Sequence, residues 1–322
     1  MTPPLNTPVP VPPMPFRIGF DCGIVTLGSC FSDEIGTRLK DGGFRIEANP
    51  FGTLYNPASI ANALERIIAC REVTEADLVQ HDGLWHSWHH HGSFSHPTIN
   101  ETLEACNASL HRAHEALLSA RILMITFGTA WVFEVKGESS EFGVRSSELS
   151  GCSSINSELR GVPSAQPTTP NSELPTKVVA NCHKLPPQMF TRRRMTVDEI
   201  VSLWQPLLKK LRTHNSELTT IFTVSPIRHM ADGAHGNQLS KATLLLAVEQ
   251  LASCGHYFPS YEIILDELRD YRFFGPDMTH PSPLAVDIVY DRFQQATMSP
   301  ATIQQAHNNA KAARRQRHIP LH

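Results

Sequence analysis

No stretch of this 322-residue chain approaches the roughly eighteen consecutive apolar residues that a membrane-spanning helix needs. Its proline-rich start, Thr2 to Pro15, also lacks the charged-then-apolar order of a secretory signal. Excess charge of one sign is missing as well. The formal net charge is -3 and the pI is near 6.6, so no strong field exists to capture nucleic acid or an anionic membrane surface. Seven cysteines, Cys22, Cys30, Cys70, Cys106, Cys152, Cys182 and Cys254, are scattered without a CxxC pair. That excludes an obvious disulfide framework or zinc knuckle. Together these absences predict a cytoplasmic protein with reduced thiols, whose partner is a small molecule or a neutral polymer.

What is present is an alternation of short apolar runs and helical patterns, the order that builds a parallel sheet covered by helices on both faces. Strands are expected at Ile24 to Leu27, Phe44 to Ala48, Ile122 to Phe127, Thr220 to Val224 and Tyr257 to Ile264. The fifth also reads as a helix face, through Tyr261, Ile264, Leu265 and Leu268, but the grammar of the fold favours a strand there. Helices are expected at Ser32 to Lys40, Ala58 to Cys70, Glu101 to Ala120, Val197 to Arg212, Gln238 to Ser253 and Pro283 to Phe293. Asn56 with Pro57 marks one start, and Thr196 with Glu199 forms a capping box for another. Pro206 predicts a kink or an early end in the latter.

The length suits one α/β domain over 16–300, with a flexible segment at 1–15 and a basic, solvated tail at 301–322. The segment 137–176 differs from its surroundings. It repeats SSEL or NSEL at Ser146, Asn156 and Asn171 amid Ser, Pro, Thr and Gly, a composition that cannot bury enough apolar surface to offset its ordering entropy. It is expected to be a disordered insertion at the tip of a hairpin formed by Trp131 to Lys136 and Lys177 to Asn181.

Two short motifs near the ends of the chain carry the chemistry. GSCF at Gly28 to Phe31 puts Ser29 on a strand-to-helix turn, where free NH groups of the helix start can hold an oxyanion. DMTH at Asp277 to His280 spaces a carboxylate and an imidazole by three residues, close enough for one to orient the other. Serine, aspartate and histidine are the parts of a hydrolytic triad. Taken alone, GSCF would favour reading Ser29 as a helix N-cap, and Cys30 reads as a small packed hydrophobe.

With these motifs the chain resembles the GSCFA-domain proteins, which stand among the SGNH or GDSL-like hydrolases. The resemblance rests on TLGSCFSDEIG (Thr26 to Gly36), NPFGTLYNP (Asn49 to Pro57), FGTAWVF (Phe127 to Phe133), NCHKLP (Asn181 to Pro186), SPIRH (Ser225 to His229) and YRFFGPDMTHPS (Tyr271 to Ser282). It implies a flavodoxin-like three-layer α/β/α fold with a five-stranded parallel sheet. It also implies a catalytic Ser29 with Asp277 and His280, and oxyanion donors at the Ser29 and Gly52 NH groups. Related SGNH enzymes add an asparagine after the third strand. Here the aligned run is Gly128, Thr129, Ala130, Trp131, so either Asn181 replaces it or the hole has fewer donors.

The remaining candidates concern substrate. His89, His90 and His91 invite a metal reading, but adjacent histidines share no helix face and no Cys or Glu lies at ligand spacing. Neither metal nor cofactor is expected. Trp85, Trp88, His91 and Phe94 suit a pocket wall, or else a loop packed on the core. Arg228 and His229 should lie on the catalytic edge, Arg228 binding a substrate anion or pairing with a nearby acid. The expected activity is a serine esterase cleaving acyl or acetyl esters of a carbohydrate or small molecule. An O-acyltransferase with the same triad and an inactive carbohydrate-binding protein are the alternatives.

Overall fold

Runs of aliphatic and β-branched residues that are buried on both faces form the centre of the fold, because only a sheet covered on both sides buries every residue of such a run. The computed structural model describes residues 7–136 and 178–317. Its central sheet holds β1 (Gly23–Gly28), β2 (Arg45–Ala48), β3 (Ala120–Phe127), β4 (Thr219–Val224) and β5 (His256–Tyr257). All pairings are parallel and the spatial order is β2-β1-β3-β4-β5. This is the doubly wound flavodoxin-like order, whose switch point lies between β1 and β3. The helix after β1 leaves on one face, so the carboxyl ends of β1 and β3 open a crevice there.

The strands sort their side chains with period two. Val25, Leu27, Leu123, Ile125, Phe127, Phe222 and Val224 face one layer, packed on α2 (Pro57–Ala69), α3 (Ile99–Ser119), α4 (Val197–His214) and α5 (Gly233–Gln250). Ile24, Ile122, Met124 and Ile221 face the other, built from α1 (Cys30–Asp41), α6 (Pro283–Thr297) and α7 (Pro300–Arg317). Trp204 of α4 anchors the first layer. It is fully buried, lies edge-on to Phe127 and Phe222, and donates its indole NH to Pro57 O at 3.2 Å. Truncating such a residue costs about 3–5 kcal/mol.

Local signals hold where expected. Asn56 Oδ1 accepts the Ser59 NH at 2.8 Å with Pro57 opening α2. Thr196 and Glu199 cap α4 reciprocally, at 3.2 and 2.7 Å. The helix continues past the exposed Pro206 to His214.

Three expectations are corrected. The fifth strand is two residues long, not Tyr257 to Ile264. Pro259 has no NH for a ladder, Ser260 bonds Val224 O at 2.9 Å, and Ser260–Glu262 and Ile263–Glu267 turn helically to bury Ile263 and Ile264. The helical spacing of Tyr261, Ile264, Leu265 and Leu268 was the truer signal. Residues 7–15 do not hang free: the Val9 NH donates to Glu267 at 2.9 Å, the Met14 NH to Ala296 O at 2.8 Å, and Val9, Val11 and Met14 pack on the second layer. The tail after residue 300 is helix α7 through Arg317, with Ala306 buried, Asn309 donating to Gly42 O at 2.9 Å and Arg317 paired with Asp41.

Two smaller sheets flank the core. Trp131–Val135 pairs antiparallel with Val178–Val179, as expected, and on its other side with Phe190–Arg194. Leu78–His81 and Leu84–Ser87 form a hairpin around Asp82 and Gly83, both at positive φ, and the Asp-Gly pair is the residue signal for such a turn. The insertion at 137–176 lies outside the described residues. Among the described residues no helix is long and apolar enough to cross a membrane.

Candidate active site

The turn after β1 is built around an approach that only glycine allows. Gly28 has φ +154°, and a Cβ there would sit 2.4 Å from Thr126 O on the neighbouring strand. Its NH is held by Asn49 Oδ1 at 2.8 Å, and Asn49, itself at φ 43°, donates to Asp33 Oδ1 at 2.6 Å. Thr53 donates to the other Asp33 oxygen at 3.1 Å. Burial pushes the Asp33 carboxyl up, against the opposing pull of Asn49 and Thr53. A carboxylate one turn into α1 thus fixes the shape of the turn that precedes it.

Ser29 closes that turn. It occupies the N-cap position of α1, yet its hydroxyl makes no capping bond, is buried and has no hydrogen-bond partner. The helix start therefore does not account for the hydroxyl. Cys30 turns toward the second-layer core, and burial raises its thiol above the usual range.

The Asp277 and His280 pair is assembled within one loop. His280 Nδ1 lies 2.5 Å from Asp277 Oδ2, while Asp277 Oδ1 accepts the NH groups of Thr279 and His280, each at 3.0 Å. Those two NH groups and the imidazole hold the Asp277 carboxyl well below the usual carboxylate range. The loop is pinned to the end of β4: the Arg228 NH donates to Thr279 O at 3.1 Å and its guanidinium to Met278 O at 3.1 Å, beside the Phe274 ring. Among the described residues Arg228 has no ion-pair partner. Ser29 and the pair therefore share the carboxyl edge of the sheet. They do not touch by hydrogen bond, since the Ser29 hydroxyl has no partner and the His280 side chain is about half exposed.

The expected oxyanion donors are engaged elsewhere. The Ser29 NH donates to Thr126 O at 3.2 Å and the Gly52 NH to Asn49 O at 2.7 Å. Asn181 uses its side-chain oxygen to accept the His183 NH at 2.8 Å. Gly52, at φ +73°, lies against His91, whose Cβ would be 2.4 Å from a Cβ at position 52. His91 thereby comes beside Asp33, whose carboxyl feels its charge. Trp85 and Trp88 pack into two satellite cores, one with Val73, Leu78 and Cys106, the other with Val79, Val179 and Phe190. His89 is tied to Asp77 at 2.9 Å, and His90 stacks on Phe51. Among the described residues no group of three or more His, Cys, Asp or Glu could hold a metal ion.

Sequence reasoning missed the contribution of α5. Its buried stripe begins with three polar residues, Asn237, Ser240 and Lys241, before continuing as Leu244, Ala247, Val248 and Leu251. Each polar residue braces a loop at the sheet edge. Asn237 accepts the His229 NH at 2.9 Å, and Ser240 accepts the Ala130 NH at 2.8 Å and bonds the Thr129 hydroxyl at 3.0 Å. Lys241 donates to Gly128 O at 2.6 Å and Ser225 O at 2.7 Å. Polar residues at helical spacing in the stripe that meets the core were the available signal. His229 sits edge-on to Tyr55 at 5.9 Å with its Nε2 buried and unpartnered, and burial, reinforced by the Lys241 charge, pushes its imidazole down to about 4. Trp131 lies under the guanidinium of Arg192, which is paired with Asp232.

The segments that build this edge fall within the region that a known family shares. The GSCFA family matches residues 23–146 and 171–293, most of the chain, and the protein belongs to that family. No curated protein matches it.

Proposed function

We propose that this GSCFA-family protein is a serine esterase of the SGNH or GDSL-like type, cleaving acyl or acetyl esters of a carbohydrate or small molecule. One observation carries the proposal: a buried, unpartnered Ser29 hydroxyl at a helix start shares the sheet edge with a pre-paired Asp277 and His280. A buried hydroxyl without a partner is costly unless something uses it. In the proposed reaction His280 Nε2 takes the Ser29 proton as Oγ attacks the ester carbonyl, and Asp277 holds the imidazolium that forms. The same imidazole returns the proton to the leaving alkoxide. Water, activated in turn by His280, releases the acid from the acyl-enzyme. Closure of His280 onto Ser29 belongs to the substrate-bound state, because catalytic hydrogen bonds often tighten only there.

The engaged Ser29 and Gly52 NH groups favour a second reading, in which the site binds an acyl carbohydrate without fast turnover. A third differs only in the acceptor: a sugar hydroxyl in place of water makes the protein an O-acyltransferase. The scattered cysteines fit a reducing compartment, and a cytoplasmic location is part of the proposal.

The test is burst release from p-nitrophenyl acetate by the wild type, Ser29→Ala and His280→Ala, with folding matched by circular dichroism. Activity that falls on the order of 10,000-fold in both variants supports the triad. Equal background rates in all three proteins overturn the esterase reading and leave the binding or transfer readings.

A further inference from the structure

Lys241 is fully buried, and among the described residues it has no carboxylate partner. A lysine that is neither exposed nor paired is rare and costly, since its charge leaves water without a counter-charge. Burial pushes its ammonium down to about 7. A purely structural role at this position would be served at lower cost by a neutral donor.

Its two acceptors explain where that cost goes. Gly128 and Ser225 each immediately follow a strand, β3 and β4, on the edge that carries the proposed chemistry. One ammonium bonding both carbonyls clamps the ends of adjacent strands together. Gly128 in turn abuts the nucleophile: a Cβ at position 128 would lie 3.4 Å from Ser29 Cβ and 3.0 Å from Tyr55 O, which accepts the Gly128 NH at 2.8 Å. From the other elements, the Tyr261 ring lies 5.9 Å away and His229 of the β4 loop feels its field.

We propose that Lys241 is the positioning residue of the site, its ammonium clamping Gly128 and Ser225 so that Gly128 seats Ser29 and the edge where the acyl oxyanion forms carries a positive charge. The proposal rests on the reading of Ser29 as nucleophile. Lys241 touches no reacting atom. It acts through Gly128 and through its field, so its loss slows the chemical step and leaves substrate capture alone.

The experiment is the rate of covalent labelling of Ser29 by a fluorophosphonate probe, resolved into the limiting rate and the half-saturating concentration. Wild type, Ser29→Ala, Lys241→Met and Lys241→Arg are compared at equal folded fraction. The expected result is labelling that requires Ser29, a limiting rate about 100-fold lower in Lys241→Met with half-saturation unchanged, and recovery to within about 10-fold in Lys241→Arg. Should Lys241→Met not fold, Lys241→Gln, which keeps a donor and removes the charge, is read the same way. Wild-type rates in the charge-removing variant overturn the role of Lys241 and leave Ser29 as nucleophile. Absence of Ser29-dependent labelling in the wild type overturns the nucleophile reading, and the positioning role falls with it.

Discussion

Asp277 grips His280 at two points, with Oδ2 2.5 Å from the imidazole Nδ1 and Oδ1 accepting the His280 backbone NH at 3.0 Å. The carboxylate therefore orients the ring and also closes the turn that presents it. Both tasks need the ionised form, which the surrounding NH groups favour.

The Asp277→Asn substitution should lower ester turnover on the order of 10,000-fold without unfolding the protein. Because its carboxyl is held below the usual range, Asp277 stays ionised down to low pH. Its stabilising effect on the loop is fully present above pH about 4 and is lost progressively as pH falls below that value. Hydrogen exchange of the Thr279 and His280 amides from pH 6 to 3 should show protection declining at the acid end, and the Asp277→Asn variant should lack that transition. A transition retained in the variant would assign it to another group.

Asn49→Ala leaves the buried Gly28 NH and the Asp33 carboxylate without their shared partner. Urea unfolding should show a loss of about 1–3 kcal/mol. Asp33→Asn should recover part of that loss in the double variant, since it removes the charge from a half-buried carboxylate left with Thr53 as its side-chain donor. Additive effects would mean that the two residues do not act as one unit.

Gly28→Ala drives a methyl into Thr126 O, at 2.4 Å before any relaxation, and the obstacle is backbone that cannot rotate away. The expected cost is about 1–3 kcal/mol in unfolding free energy, together with loss of Ser29 labelling as the β1–α1 turn shifts. Gly83→Ala supplies the control. It also sits at positive φ, but nothing lies within 4 Å, so only the local strain should appear.

Lys241 gives a stability signature at alkaline pH. Its folded pKa, about 7, lies below the unfolded value near 10.4, so between those limits the unfolded state binds more protons. Stability from this group therefore rises as pH climbs from about 7 to 10, by about 1.4 kcal/mol per unit of separation. The difference between wild type and Lys241→Met, measured by denaturant unfolding at several pH values, isolates it from the other titrating groups. A flat difference would mean that the lysine is not held as a desolvated cation.

The chain's local chemistry made much of the fold readable. β1, β3 and β4 announced themselves as apolar runs, while Asn56-Pro57 and Thr196 with Glu199 marked helix starts within a few residues. Tyr257 to Ile264 misled because parallel-sheet grammar favours a strand where a helical period and Pro259 set a turn. Phe190–Arg194 was hidden for another reason: FTRRR has no alternation, and its strand exists because Trp131–Val135 offers an open edge.

At the candidate site, the place of Ser29 at the strand-to-helix turn and the pairing of Asp277 with His280 were legible because each is set within a short motif. Trp85 and Trp88 left a pocket wall and a packed loop both open in the sequence, because an aromatic in a loop looks the same whether it meets a ligand or a satellite core; the structure packs them into the satellite cores. Lys241, Asn49 and Asp33 were invisible because their roles are made by partners elsewhere. The amino-acid sequence by itself determined β1, β3 and β4, the capped starts of α2 and α4, and the pairing of Asp277 with His280, all signalled by residues close together in the chain. Only the tertiary structure decided that Lys241 is stripped of water and laid on Gly128, 113 positions away, since burial and charge environment come from residues that the folded sheet brings together.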